Sequence, residues 1–218
     1  MYKAAIFDLD GTIADTVKSI AVACNKTLET VGLTGRPVEE YNYFAGDGVD
    51  VLIERALKAA GDTQLNHYEE AYKLYQEIFE QYCTYEVKAF EGMIETLEYM
   101  KLSGMKIAVL TNKPHNRAIT VVEDLYGKGY FDLIIGQQEG LAKKPDPEGA
   151  FLIASNLKVA PSECMYIGDT NVDMKTGNAA GMYTIGVLWG FRERQELLDN
   201  HAHVLVEEPR DLMKLIHG

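Results

Sequence analysis

Cysteine is scarce in this chain, basic charge is in deficit, and long apolar runs are missing. The 218 residues include three cysteines, Cys24, Cys83 and Cys164. They are odd in number and far apart, without the short paired spacing of a zinc site, so reduced, buried thiols are expected. Lysine and arginine total 21 against 33 aspartates and glutamates, a formal net charge of −12. That balance argues against nucleic acid as the main partner, because binding a phosphate backbone needs a basic face. A small phosphorylated ligand needs only a few local cations and stays compatible with it. No apolar stretch approaches the ~20 residues that span a bilayer, and Asp8 and Asp10 interrupt any apolar core of a secretory signal. A cytoplasmic protein with no membrane partner is therefore expected. Internal repeats, low-complexity tracts and long linkers are also lacking, and nothing in the sequence fixes an oligomeric state. A hydrophobic fraction of 47% and a charged fraction of 25% suit one large domain, or a core with a smaller insertion.

From about residue 88 onward, short apolar runs alternate with longer amphipathic ones. Strands are expected at 106–110, 131–135, 164–167, 183–188 and 203–206, and helices at 93–102, 116–125, 147–157, 174–180 and 210–216. Such alternation implies βαβ units and a parallel sheet. Residues 15–87 break the rhythm. Asp15 and Thr16 can cap a helix with its apolar stripe at Val17, Ile20, Ala21, Cys24, Leu28 and Val31. Gly32 can end it, and Pro37 suits the first turn of the next helix. Further helices are expected over 49–60 and 66–85. The second carries Tyr68, Tyr72, Tyr75, Phe79 and Tyr82, a stripe read as half-buried packing. The expectation is a three-layer α/β/α Rossmann-like core, residues 1–14 and 88–218, with a small all-helical domain, residues 15–87, inserted after the first strand.

Four polar clusters sit at expected strand ends or on loops, where open parallel sheets bind ligands. In Phe7-Asp8-Leu9-Asp10-Gly11-Thr12, two carboxylates at i and i+2 share an orientation and can line one pocket. Like charges that close raise a pKa or call for a cation, and a hard divalent ion such as Mg²⁺ would answer. A plain turn at Asp10-Gly11 is the other reading. In Gly168-Asp169-Thr170-Asn171-Val172-Asp173, Asp169 and Asp173 lie one helical turn apart at a helix start; capping by Asp169 or Thr170 is the competing reading. Thr111-Asn112-Lys113 before Pro114 can cradle a phosphate or simply cap. Lys144 of Lys143-Lys144-Pro145 stands in an extended segment, fit to neutralise a carboxylate and a phosphate together, or else is a solvated turn lysine.

In order and placement these clusters resemble the four motifs of the haloacid dehalogenase superfamily of phosphotransferases, over the whole chain. Phe7 to Thr12 resembles its first motif, Thr111 its second, Lys144 its third, and Gly168-Asp169 with Asp173 its fourth. The helical insertion resembles its C1-type cap. Phe44 to Leu57 is similar to the cap stretch of phosphoglycolate phosphatases, although Phe90-Glu91-Gly92 departs from the proline usual before that glycine. The resemblance implies Asp8 as nucleophile, Asp10 as general acid and base, and Thr111, Asn112 and Lys144 at the phosphate. It implies Mg²⁺ held by Asp8, the Asp10 carbonyl, Asp169 and Asp173, with Gly46, Asp47 and Gly48 selecting the substrate. Arg55 is expected on the surface or at a substrate carboxylate, and His115 as a solvated residue at a helix start. The expected partner is a small phosphorylated metabolite. A phosphomutase, a pyrophosphatase or a non-catalytic binding domain on the same fold are the alternatives. The Asp10 carboxylate argues against the dehalogenase and phosphonatase branches.

Overall fold

The computed structural model describes residues 2–216. Its strands are β1 (Ala4–Phe7), β2 (Ala14–Asp15), β3 (Lys88–Ala89), β4 (Lys106–Pro114), β5 (Leu133–Gln137), β6 (Cys164–Gly168), β7 (Tyr183–Val187) and β8 (Val204–Val206). Its helices are α1 (Val17–Thr30), α2 (Tyr41–Phe44), α3 (Val49–Ala59), α4 (Tyr68–Tyr82), α5 (Met93–Leu102), α6 (His115–Tyr126), α7 (Glu148–Leu157), α8 (Asn171–Ala179) and α9 (Arg194–Asp199). Two compact units result: the residues up to Asp15 with those from Ala89 onward, and Thr16–Lys88.

The first unit is built on a six-stranded sheet in the order β5-β4-β1-β6-β7-β8. Every pairing in it is parallel. All four residues of β1 are wholly buried, which requires helices over both faces of the sheet. Ala150, Ile153, Ala154 and Leu157 of α7 pack on Ala4, Ile6, Ala108, Leu110 and Tyr166. The strand order runs outward in both directions from β1, so the carboxyl ends of β4, β1 and β6 meet at a topological switch point.

β4 continues to Pro114, past the expected end at Leu110, because of an irregularity. Leu110 pairs with Ile135 and Pro114 with Gln137, so β4 places two more residues than β5 between those pairs. Such a bulge kinks the strand and re-aims its side chains. Thr111, Asn112 and Lys113 are all buried, as Ile107 to Leu110 are before the bulge.

Other boundaries moved for identifiable reasons. β5 begins at Leu133 rather than Phe131, because the Asp132 carboxylate takes the Ile107 N–H (2.8 Å) and ties that residue into a bend. The helix expected at 174–180 starts at Asn171, where Thr170 caps it. The segment expected as a helix at 210–216 is a 3₁₀ helix, Pro209–Leu215, and α9 was not anticipated.

The second unit holds α1 to α4. Thr16 occupies the N-cap position of α1, but its side chain makes no capping bond and Asp15 lies in β2, so the expected side-chain cap is not formed; Ser19 Oγ donates to the Thr16 carbonyl (2.9 Å). α4 is shorter than expected at both ends. At its start, Asp62 accepts the Asn66 and His67 N–H groups (both 2.9 Å) and holds them in a turn. Tyr75 and Phe79 stack in the core, with Tyr68, Tyr72 and Tyr82 half-buried. The three cysteines are free and buried.

Candidate active site

Asp8 follows the last residue of β1, and its N–H donates to the Ile167 carbonyl of β6 (2.9 Å). The chain then turns: the Ala14 N–H returns to the Leu9 carbonyl and the Gly11 N–H to the Ala14 carbonyl. Gly11 takes φ +86°, and a Cβ there would run into the Asp169 carboxylate. Glycine therefore serves twice, for the left-handed turn and for the close approach. Asp8 and Asp10 do not share one pocket on equal terms, as expected from the i, i+2 spacing. Asp8 Oδ1 lies 2.8 Å from Lys144 Nζ, whereas Asp10 Oδ1 lies 2.7 Å from Lys113 Nζ. The strand has ended at Phe7, before both of them, so strand alternation no longer governs the pair.

Asp8, Asp169 and Asp173 gather with one oxygen of each within 4.8 Å of the others, and all three are buried. Lys144 Nζ pairs with Asp173 Oδ1 (2.6 Å) as well as with Asp8. Asp173 also closes the first turn of α8: its Oδ2 accepts from the Thr170 N–H (3.0 Å) and Oγ1 (2.7 Å). Capping and the acidic cluster are thus both present, with Thr170 rather than Asp169 as the cap. Asp169 Oδ1 accepts from Thr12 Oγ1 (2.8 Å) and Oδ2 from the Phe191 N–H (2.7 Å).

Burial, and then the neighbouring Asp173, push the Asp8 carboxyl up to about 7, with Lys144 pulling the other way. Burial, Asp173 and Asp8 raise Asp169 well above the usual carboxylate range, against the Phe191 and Thr12 donors. Burial alone would lower Lys144, but Asp173 and Asp8 outweigh it and hold the ammonium well above an ordinary lysine. Four carboxylates (Asp8, Asp10, Asp169, Asp173) thus face two ammoniums (Lys113, Lys144). Two negative charges are left over, which fits one divalent cation among oxygen ligands.

Asn112 is committed differently from expectation. Its Nδ2 donates to the Lys144 carbonyl (3.1 Å) and its Oδ1 accepts the Lys144 N–H (2.8 Å), so its amide holds the lysine's main chain. Thr111 Oγ1 accepts the Lys113 N–H (3.2 Å). The Lys144–Pro145 peptide is cis.

The match to known proteins covers this whole frame. Residues 5–187 fit the family model described as haloacid dehalogenase-like hydrolase. The chain belongs to the haloacid dehalogenase-like hydrolases. It is 33% identical, over 97% of its length and 95% of the relative's, to the phosphoglycolate phosphatase of Aquifex aeolicus (strain VF5). It is 28% identical to that of Pseudomonas savastanoi pv. phaseolicola, over 99% of its own length and 79% of the relative's. A crystal structure from Lactobacillus delbrueckii subsp. bulgaricus, provisionally named phosphoglycolate phosphatase, superposes with a TM-score of 0.89 at 32% identity, covering 99% of this chain and 98% of that one.

In this hydrolase several groups around the site were not singled out by the sequence. Thr12 and the Phe191 N–H hold Asp169, Trp189 Nε1 donates to the Thr12 carbonyl (2.9 Å), and Lys113 meets Asp10. Gly190 is part of the same wall: a Cβ there would stand 2.5 Å from the Gly11 carbonyl oxygen and 2.6 Å from Asp169 Cγ. Only the glycine after the strand end, in Leu188-Trp189-Gly190, could have hinted at so close an approach. Gly190→Ala is expected to lower stability by about 1–3 kcal/mol through overpacking, read as a reduced urea midpoint; an unchanged midpoint would show that the wall gives way.

The remaining sequence candidates sit elsewhere. His115 opens α6, with Nδ1 accepting the Gly136 N–H (3.2 Å), a structural contact rather than a solvated ring. Gly46, Asp47 and Gly48 link α2 to α3 in the helical unit. Arg55 Nη1 binds Asp47 Oδ2 (2.7 Å) and the carbonyls of Tyr43 (3.0 Å) and Phe44 (3.2 Å), so it pins that loop. Among the described residues, no helix is long and apolar enough to cross a membrane.

Proposed function

We propose that this hydrolase is a Mg²⁺-dependent phosphomonoesterase of the cytoplasm, acting on a small phosphorylated metabolite, with 2-phosphoglycolate as the first candidate. The observation that carries the reading is the buried cluster of Asp8, Asp169 and Asp173 around Lys144, with Asp10 held apart on its own lysine. The names of the relatives support the substrate class.

Asp8 is the nucleophile. An Asp8 Oδ–P bond forms as the ester P–O bond breaks, and Asp10 hands its proton to the departing alkoxide. Water then attacks the aspartyl-phosphate and gives a proton to Asp10. The Asp8 Oδ–P bond breaks, phosphate leaves, and Asp10 ends with the proton it began with. Mg²⁺, held by Asp8, the Asp10 carbonyl and Asp169 with Asp173 beside them, would supply positive charge against the phosphoryl oxygens. Thr111 and the backbone N–H of Asn112 hold the phosphoryl group, while the Asn112 side chain keeps Lys144 in place to offset charge. Gly46, Asp47 and Gly48 are the candidates for selecting the leaving group. Phosphate release from a panel of monoesters, with Mg²⁺ and with EDTA, tests the reading. Release unaffected by EDTA, or isomerised product without free phosphate, would overturn it.

A pH signature follows from Asp8. In EDTA-treated protein the folded Asp8 keeps its proton to about pH 7, while an unfolded aspartate loses it near ~4. The unfolded state therefore binds fewer protons across that window, and the contribution of Asp8 to stability falls as pH rises through it. Mg²⁺ competes with that proton. The rise in melting temperature on adding Mg²⁺ is expected to be larger at pH 8 than at pH 5.5 in differential scanning fluorimetry; an equal rise at both would rule out Asp8 as a ligand.

A further inference from the structure

The proposed chemistry leaves one buried cation unused. Lys113 is 3% exposed along its side chain, and its ammonium lies 2.7 Å from Oδ1 of Asp10, itself 14% exposed. Burying an ammonium is costly, so one kept so deep needs a partner whose position matters. The main chain of Lys113 is fixed from two sides. Its N–H donates to Thr111 Oγ1 (3.2 Å), and its carbonyl oxygen would stand 2.6 Å from a Cβ at Gly136, close enough that only glycine fits on β5 there. Lys113 lies within the bulged stretch of β4. Lys113 thus reaches Asp10 from β4, while Asp10 sits in the hydrogen-bonded turn after β1, bridged to Ala14.

We propose that Lys113 is a positioning residue for the reaction, fixing the Asp10 carboxylate where it meets the oxygen of the leaving group. This rests on Asp10 being the proton carrier. A carboxylate of two rotatable bonds next to a phosphoryl-binding pocket would otherwise turn toward any cation there. A direct bond from a buried ammonium selects one orientation, and an ester oxygen about to become an alkoxide depends on that orientation.

The leaving group makes this measurable. An alkoxide needs a proton as the P–O bond breaks; p-nitrophenolate does not. Lys113→Met, Lys113→Gln, Asp10→Asn and the double variant Lys113→Met/Asp10→Asn are assayed for kcat/KM on 2-phosphoglycolate and on p-nitrophenyl phosphate. The expected result is a loss at least about tenfold greater on the alkyl ester for Lys113→Met, in the same direction as Asp10→Asn. Lys113→Gln keeps a donor and is expected to recover part of that loss. The double variant should be no worse than Asp10→Asn alone, as for two residues acting through one step. Equal losses on both esters, or additive losses in the double variant, would overturn the proposal. If Asp10→Asn shows no leaving-group selectivity, the acid/base reading itself fails; if it does and neither Lys113 variant does, only the role of Lys113 falls. Should Lys113→Met fold poorly, the comparison rests on Lys113→Gln, whose esters must still diverge.

Discussion

Asp8→Asn is expected to lower phosphate release by roughly 10⁴-fold or more, the scale seen when an enzyme loses its nucleophile. The amide keeps the size and most of the contacts of the carboxylate but cannot form the phosphoryl ester. The effect on folding runs the other way. Asp8 is a buried carboxyl beside Asp173, pushed up to about 7, so neutralising it removes repulsion that grows as pH rises. EDTA-treated Asp8→Asn is therefore expected to be at least as stable as wild type at pH 8, with Lys144 still held by Asp173. Activity lost without stability lost separates chemistry from structure. Residual activity above about one hundredth of wild type, measured as phosphate release, would remove Asp8 from the role.

Lys144→Met should fail in the opposite manner, through the fold first. The side chain is buried and bonded to Asp8 (2.8 Å) and Asp173 (2.6 Å). Removing one partner from a buried ionic group typically costs about 3–5 kcal/mol, because the charges left behind have neither water nor a counterion. Here three carboxylates are left. The Asp8 carboxyl, already raised by burial and Asp173, would climb further without the ammonium that draws it down. The loss should be largest at pH 8, shrink at pH 5.5 where Asp8 takes up a proton, and be partly reversed by Mg²⁺. Urea midpoints in EDTA at the two pH values check this. A loss independent of pH would mean that packing, rather than charge, makes Lys144 matter.

The parts of the fold that were legible in the sequence are those where local pattern and final structure obey the same rule. β1 and β6 read directly because each is a short apolar run ending at a polar cluster, and α5 because its amphipathic stretch begins after Gly92 and ends before Gly104. The acidic residues at the ends of β1 and β6 were legible because polar groups after a buried strand have few structural reasons to be there. The pairing of these groups was not legible. Asp10 was expected beside Asp8 by strand alternation, but the strand stops at Phe7. Lys113 stood in the quoted cluster without a role, since its partner Asp10 lies 103 residues away in the sequence. Asn112 read as a phosphate donor because its neighbours did; its true partner, Lys144, lies 32 residues away. Thr12 supports Asp169 across a still longer separation, and the Phe191 N–H does so from 22 residues away.

The two hydrogen bonds between the Asn112 amide and the main chain of Lys144 imitate one rung of a β-ladder, using a side chain in place of a strand. The end of β4 and the loop beyond β5 are thereby riveted together. In the proposed mechanism, the seat for the phosphoryl group and the charge that balances it would therefore keep a constant separation while a ligand comes and goes. The electrostatic field at Asp8 would then be set during folding, not rearranged at each turnover.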